Sequence, residues 1–161
     1  MKVEQLMARP VHTCSPNDTL QIPAQLMWNH EVGSVVVQRE GKIVGMLTDR
    51  DICIGALTSG QALWEIPVSR SMTPAPVTIH AQATVDAAEQ LMREKRVRRL
   101  PVVDELGHLV GLLSLDDVAR EALRQYGKRR PDVSTDGVVG TLGTVAEPRK
   151  PQGLSVGRDS R

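Results

Sequence analysis

The chain repeats itself. Displaced by 65 residues, Val3, Met7, Thr13, Thr19, Gln25, Leu26, Met27, Val32 and Val37 fall on Val68, Met72, Thr78, Thr84, Gln90, Leu91, Met92, Val97 and Val102. One extra residue between "QREG" and "VDELG" moves the register to 66. Gly41, Val44, Gly45, Leu47, Asp51, Ala56 and Leu57 then meet Gly107, Val110, Gly111, Leu113, Asp117, Ala122 and Leu123. The gap falls in a turn, where an insertion costs least. Any fold for this chain must therefore use one unit twice.

Each unit reads as β-α-β-β-α. A short extended piece, Val11–Cys14 or Val77–His80, precedes a helix opening at Thr19 or Thr84, both good N-cap residues. Leu20, Ala24 and Met27, like Val85, Ala88 and Met92, make an apolar stripe at helical spacing. Pro23 is expected in the opening turn, where its missing N–H is tolerated. Two strands follow, Ser34–Gln38 with Lys42–Leu47 and Leu100–Val103 with His108–Leu113, and their Gly-containing turns indicate hairpins. A second helix starts at Thr48 and at Ser114. A unit this small cannot bury both of its faces, so the copies are expected to share a core.

The bulk numbers narrow the functional classes. Hydrophobic residues make up 40%, aromatics only 2%, and Phe is absent, so the core is aliphatic and rings for stacking bases are scarce. A net charge of +1 gives no overall field toward nucleic acid or an anionic membrane. Cys14 and Cys53 make neither a disulfide framework nor a zinc cluster, and both are expected as small buried hydrophobes. No apolar run approaches a membrane span, and the first residues, MKVEQLMARP, lack a signal-peptide core; a cytoplasmic setting is the expectation. His12, His30, His80 and His108 show no ligand spacing, and Trp28 and Trp64 are expected to pack at the ends of elements. No nucleophile–base–orienter set is present in the pattern, which argues against an enzyme.

Residues 127–161 change character, with six Gly, three Pro and no sustained apolar period. They carry seven Lys/Arg against four Asp/Glu, or +3, which leaves 13 basic and 15 acidic residues, or −2, for the body. The expectation is a disordered tail whose removal leaves stability nearly unchanged.

Two β-α-β-β-α units, each ending in Gly-h-h-Thr/Ser-x-x-Asp (GMLTDRD, 45–51; GLLSLDD, 111–117), resemble a tandem pair of CBS domains, the Bateman module. The stretch VRRLPVVD, 97–104, is also similar to the second strand of such a domain. The resemblance covers roughly residues 3–126 and implies an α/β (α+β) fold. It assigns residues 7–65 to a first CBS domain and 72–126 to a second, packed about a pseudo-twofold axis. A chain of little else is most similar to stand-alone prokaryotic CBS proteins, some of them linked to hypoxic or stress responses.

The resemblance further implies a non-catalytic, regulatory module. Such modules take an adenine nucleotide or S-adenosylmethionine as a regulatory ligand in clefts between the copies, form homodimers through their helices, and can act on a partner protein or serve only as an interaction module with empty clefts. By position, Asp51 and Thr48 are implied for one cleft, and Asp117 and Ser114 for the other. Main chain at Thr13–Cys14 and Thr78–Ile79 is implied for the adenine edge. Physical chemistry agrees: a helix N-terminus offers unpaired N–H groups to phosphate, and an acceptor-only carboxylate suits a ribose diol. A capping box, Thr48-x-x-Asp51, explains the same residues without a ligand.

Arg98 and Arg99 stand where the first copy has Gly33 and Ser34, and in nucleotide-binding relatives such positions face phosphate. Alternation along a strand sends adjacent side chains to opposite faces, so at most one of the two should enter a cleft. The apolar faces of the second helices (Ile52, Ala56; Val118, Ala122) could form a dimer seam or equally an internal core.

Overall fold

A computed structural model describes residues 1–147. The first copy forms β1 (Thr13–Cys14), α1 (Gln21–His30), β2 (Ser34–Arg39), β3 (Lys42–Thr48) and α2 (Asp49–Ser59). After β4 (Thr73–Pro74), the second copy repeats the order as β5 (Ile79–His80), α3 (Val85–Lys95), β6 (Arg99–Val103), β7 (Leu109–Ser114) and α4 (Leu115–Gln125). A further helix, α5 (Thr135–Ala146), follows. The strands form two sheets, β1-β2-β3-β4 and β5-β6-β7, each with a parallel outer pair and an antiparallel hairpin. No helix among the described residues is long and apolar enough to cross a membrane.

Both hairpins form where the alternation places them. In the first, Glu40 and Gly41 take positive φ (51° and 75°), the geometry of a two-residue turn matched to strand twist. The longer second turn is held by Asp104, whose Oδ1 accepts from the N–H groups of Leu106 and His108 at 3.0 and 2.8 Å. Those bonds, that of His108 foremost, pull the Asp104 carboxyl below its ordinary range.

The helix starts divide. Thr84 caps α3 and accepts from Ala87 N–H at 3.2 Å. Thr19 does not cap α1, which begins after Leu20. A helix capped by Thr19 would need residue 23 to donate to its carbonyl, and Pro23 has no N–H; the first such bond runs instead from Ala24 to Leu20 at 3.1 Å.

The copies exchange their leading segments. Val3 and Met7 lie in the core of the second copy with Val85, Leu100 and Leu113, while Ile66 and Val68 lie in that of the first with Leu20, Val35 and Leu47. The bridges are reciprocal: Lys2 pairs with Thr84 and Thr19 with Pro67, and Ala8 meets Leu112 as Thr73 meets Met46. Each exchange needs a glycine. A Cβ on Gly45 would stand 2.5 Å from Met72 Sδ, and one on Gly111 would come 2.6 Å from Met7 Cγ. Folding one copy therefore requires the first residues of the other.

Several sequence expectations are corrected. Residues 127–147 are not disordered, because α5 packs on α3 and α4 with Val133, Val138 and Thr141 buried. The apolar positions that hold it are spread among glycines, which hides their period. The rest of the expected tail, 148–161, lies outside the described residues. Ile52, Val118 and Ala122 are core rather than seam. Cys53 is exposed, and so are Trp28 (85%) and Trp64 (66%), since the helix faces that carry them have nothing packed against them among the described residues.

Candidate ligand-binding clefts

The Gly-h-h-Thr/Ser-x-x-Asp motif closes on itself twice. Thr48 ends β3 in extended backbone and caps α2: its N–H and Oγ1 donate to Asp51 Oδ2 at 2.9 and 2.7 Å, and Asp51 N–H donates back to Oγ1 at 3.2 Å. Ser114 and Asp117 make the same box at α4, at 2.9, 2.5 and 3.2 Å. The structural role of both pairs is thus present in full.

The second oxygen separates them. Asp117 Oδ1 accepts from Arg120, one turn along α4. Asp51 Oδ1 has no hydrogen-bond partner among the described residues, because Ile54 occupies the position of Arg120. One acceptor of the first motif is therefore left over after the cap is made. Asp51 lines a cleft of about 500 Å³ between α2 and the exchanged segment, together with Arg50, Thr58, Ile66, Arg70 and Ser71. Arg70 donates to Gln61 Oε1 at 3.2 Å, and neither arginine is ion-paired among the described residues.

The two strand-start arginines go separate ways, as alternation requires. Arg98 stays on its own copy, 4.0 Å from Asp116, with both side chains exposed. Arg99 crosses to the first copy: a Cβ on Gly33 would lie 3.2 Å from Arg99 Nη2 and 3.5 Å from Asp49 Oδ2. The guanidinium thus reaches the start of α2, passing close to the bare Cα of Gly33. The contrast between Gly33 and Arg98 in the aligned copies was the available signal. Asp49 stands at a variable position of the motif and Arg70 outside it, so neither carried a signal.

The strand residues complete the outline. Cys14 and Ile79 point inward and are buried, while Thr13 and Thr78 are exposed. β1 and β5 are edge strands, each paired with one neighbouring strand only, and the His80 carbonyl of β5 accepts from Ala83 N–H at 3.0 Å. Thr78 and Ile79 line a second, more apolar cleft of about 380 Å³ with His80, Ala83, Gln90 and Glu94. Ser114 and Asp117 do not reach it, and Thr13 and Cys14 do not line the first cleft.

Burial, then the negative Asp18 nearby, raise the Cys14 thiol to about 11, so it stays protonated and acts as a small apolar group. His12 and His30 stack at 3.9 Å, and burial with its histidine neighbour lowers His12 below the usual value. Among the described residues no group of three or more His, Cys, Asp or Glu is arranged to hold a metal.

A doubled β-α-β-β-α unit with exchanged leaders and a capped Thr/Ser-x-x-Asp at each second helix defines a CBS pair. The chain belongs to the CBS domain family, whose profile matches residues 3–55 and 65–124. It is 40% identical over 117 residues to the CBS domain-containing protein YhcV of Bacillus subtilis, spanning 73% of this chain and 82% of that one. Among solved structures it is similar to the CBS domain protein PAE2072 from Pyrobaculum aerophilum complexed with AMP (TM-score 0.69, 25% identity, 76% and 94% of the two chains). It is also similar to the CBS domain pair of MJ0100 in complex with 5-methylthioadenosine and S-adenosyl-L-methionine (TM-score 0.67, 26% identity, 74% and 94%).

Proposed function

We propose that this protein is a non-catalytic sensor of an adenosine-containing ligand of the AMP, ATP or S-adenosylmethionine type, bound in the cytoplasm. The first copy supplies the principal site. Asp51 accepts from the ribose hydroxyls, and Thr48 and the first N–H groups of α2 face phosphate or carboxylate. Arg99 from the second copy reaches the start of α2 near Asp49, so a phosphate held at that helix start ties the two copies together. The corresponding motif of the second copy, Ser114 and Asp117, binds more weakly, since Arg120 takes the second oxygen of Asp117. The observation that carries this ranking is the free Oδ1 of Asp51 against the Arg120-bound Oδ1 of Asp117. The relatives that hold AMP or S-adenosyl-L-methionine support the ligand class. Ligand occupancy is read out by assembly of two chains and through them by a partner protein.

Calorimetric titration with AMP, ATP, S-adenosylmethionine and adenosine tests the proposal. One strong site per chain is expected, with AMP tighter than adenosine and weakened by salt. Equal affinities for adenosine and AMP would show that Arg99 faces no phosphate. Absence of heat with all four would leave the module as one that binds only protein.

A further inference from the structure

The copies diverge in charge where their second helices end. The first copy has Ile54, Thr58, Ala62, Leu63 and Trp64 there; at the same places the second has Arg120, Arg124, Lys128, Arg129 and Arg130. Residues 120–130 hold five Lys/Arg against one Asp/Glu, or +4, in a chain of net +1, so the other residues together carry −3. The whole chain has almost no field, yet one ridge of it is strongly basic.

The fold keeps this ridge open and fixed. α4 turns Val118, Ala122 and Gln125 inward, which leaves Arg120, Leu123 and Arg124 on its outer side. Leu123 is 73% exposed and Tyr126, just past the helix, 76%. Gly127 turns the chain in left-handed backbone (φ 84°), and Lys128, Arg129 and Arg130 follow, all exposed. The buried Gln125 holds this loop: its carbonyl accepts from Lys128 N–H at 3.0 Å and its Oε1 from Asp132 N–H at 2.6 Å. Arg120 and Arg124 pair with Asp117 and Glu121 of their own helix, surface contacts that contribute little. Lys128, Arg129 and Arg130 have no ion pair among the described residues. Three adjacent cations repel one another and add nothing to the core, so their counter-charge comes from another molecule.

Resting on the partner-protein reading above, we propose that this ridge docks an acidic segment of that partner. Its carboxylates meet Lys128, Arg129 and Arg130, and an apolar side chain lies against Leu123 and Tyr126. Guanidinium forks take carboxylates bidentately, and Tyr and Arg are enriched at the centres of protein interfaces. A loop already held in place loses little freedom on binding. A second copy does not fit, because a twofold contact sets these cations against themselves. Residues 148–161 do not fit either, since they bring four more Lys/Arg against one Asp. Single-stranded nucleic acid stacks its bases on successive rings, and Tyr126 is the only tyrosine. A bilayer takes a wider apolar face than two side chains.

Selection of a random peptide library on the full chain, with Lys128→Gln/Arg129→Gln/Arg130→Gln as the counter-target, tests this. Enriched peptides should carry several Asp or Glu beside a Leu, Ile or Phe, and their affinity, read by fluorescence anisotropy, should fall as salt rises. The triple variant should bind them roughly tenfold or more weakly, and so should Tyr126→Ser. Both should keep the wild-type melt and the AMP-induced rise in melting temperature. Lys42→Gln, an exposed cation on the first hairpin, should bind as wild type does. Enrichment of peptides without acidic residues, or equal affinity for wild type and triple variant, overturns the proposal. Tighter binding to single-stranded RNA or to phosphatidylserine vesicles than to the peptides also overturns it, since the ridge then serves another class of partner. A wild type that binds the peptides but shows no AMP shift would sink the ligand reading and support this one.

Discussion

The exchange of leading segments makes Gly111→Ala a sharper test of the fold than any deletion of a core side chain. A Cβ at 111 would stand 2.6 Å from Met7 Cγ and 3.1 Å from Met7 Cβ, and nearer still to the sulfur. These are stem atoms, so swinging the thioether aside does not relieve the contact; the strand or the leader must move. Such overpacking costs about 1–3 kcal/mol. Alanine in place of glycine also restricts the unfolded chain, which favours the folded state by about 0.4–1 kcal/mol. The steric term wins, for a net loss of roughly 1–2 kcal/mol, or about 2–8 °C in melting midpoint at this size. Met7→Ala removes a side chain only 8% exposed and should cost about 2–5 kcal/mol alone. Combined, the two should cost less than their sum by roughly 0.5–3 kcal/mol, because each relieves the other. Gly140→Ala is the control: its Cβ would meet nothing within 4 Å, and as a helix former it should stabilise by roughly 0.5–1 kcal/mol. Thermal and urea melts of the four variants decide the matter. A Gly111→Ala midpoint at or above wild type, or strict additivity with Met7→Ala, refutes the exchanged arrangement; a silent Gly140→Ala removes α5 from the folded unit.

Asp51→Gln keeps an accepted partner for the capping box but exchanges a carboxylate oxygen for a donor, so AMP affinity measured by calorimetry should fall by about 1.5–3 kcal/mol while the unliganded melt changes little; equal affinity would leave Asp51 as a cap alone. Burial raises the Glu89 carboxyl above its ordinary range, against the opposing hydrogen bond of Thr141 and the charge of Arg93. The folded chain then holds a proton that the unfolded chain releases, so this contribution is whole in acid and is lost as pH rises from about 4.5 through the raised value. Glu89→Gln should flatten that decline in melts taken from acid to neutral pH, and an unchanged pH profile would show that the group is solvated. Truncation after Tyr126 removes buried Val133, Val138 and Thr141 and should lower the midpoint, contrary to the expectation from the sequence; an identical melt would mean that α5 contributes nothing.

The α5 error and the Thr19 error have different origins. Hydrophobic periodicity identifies a helix when it alone must justify the burial, as in α3 and α4. In α5 three glycines interrupt the pattern, and the helix exists because α3 and α4 offer it a seat, with Glu89 and Arg93 reaching Thr141. Thr19 failed for a local reason that was readable: four residues on, Pro23 removes the donor its carbonyl would need. The exposed tryptophans were misplaced because composition says that a large ring is usually covered, and it cannot say by which molecule.

The sequence by itself determined the repeat, the two hairpins, the capping boxes at Thr48 and Ser114, and the position of Arg98 and Arg99 side by side at the entry to β6. All of these follow from contacts within a few residues or from comparison of one copy with the other. Only the tertiary structure decided that each copy lends its first segment to its neighbour, and that Arg99 rather than Arg98 reaches the first copy beside Gly33. It alone left Asp51, and not Asp117, with an oxygen to spare. The reason is physical: a local pattern fixes which side chains can bond their neighbours, whereas an acceptor is left over, or a face uncovered, only after the chain has packed and every nearer partner has been used.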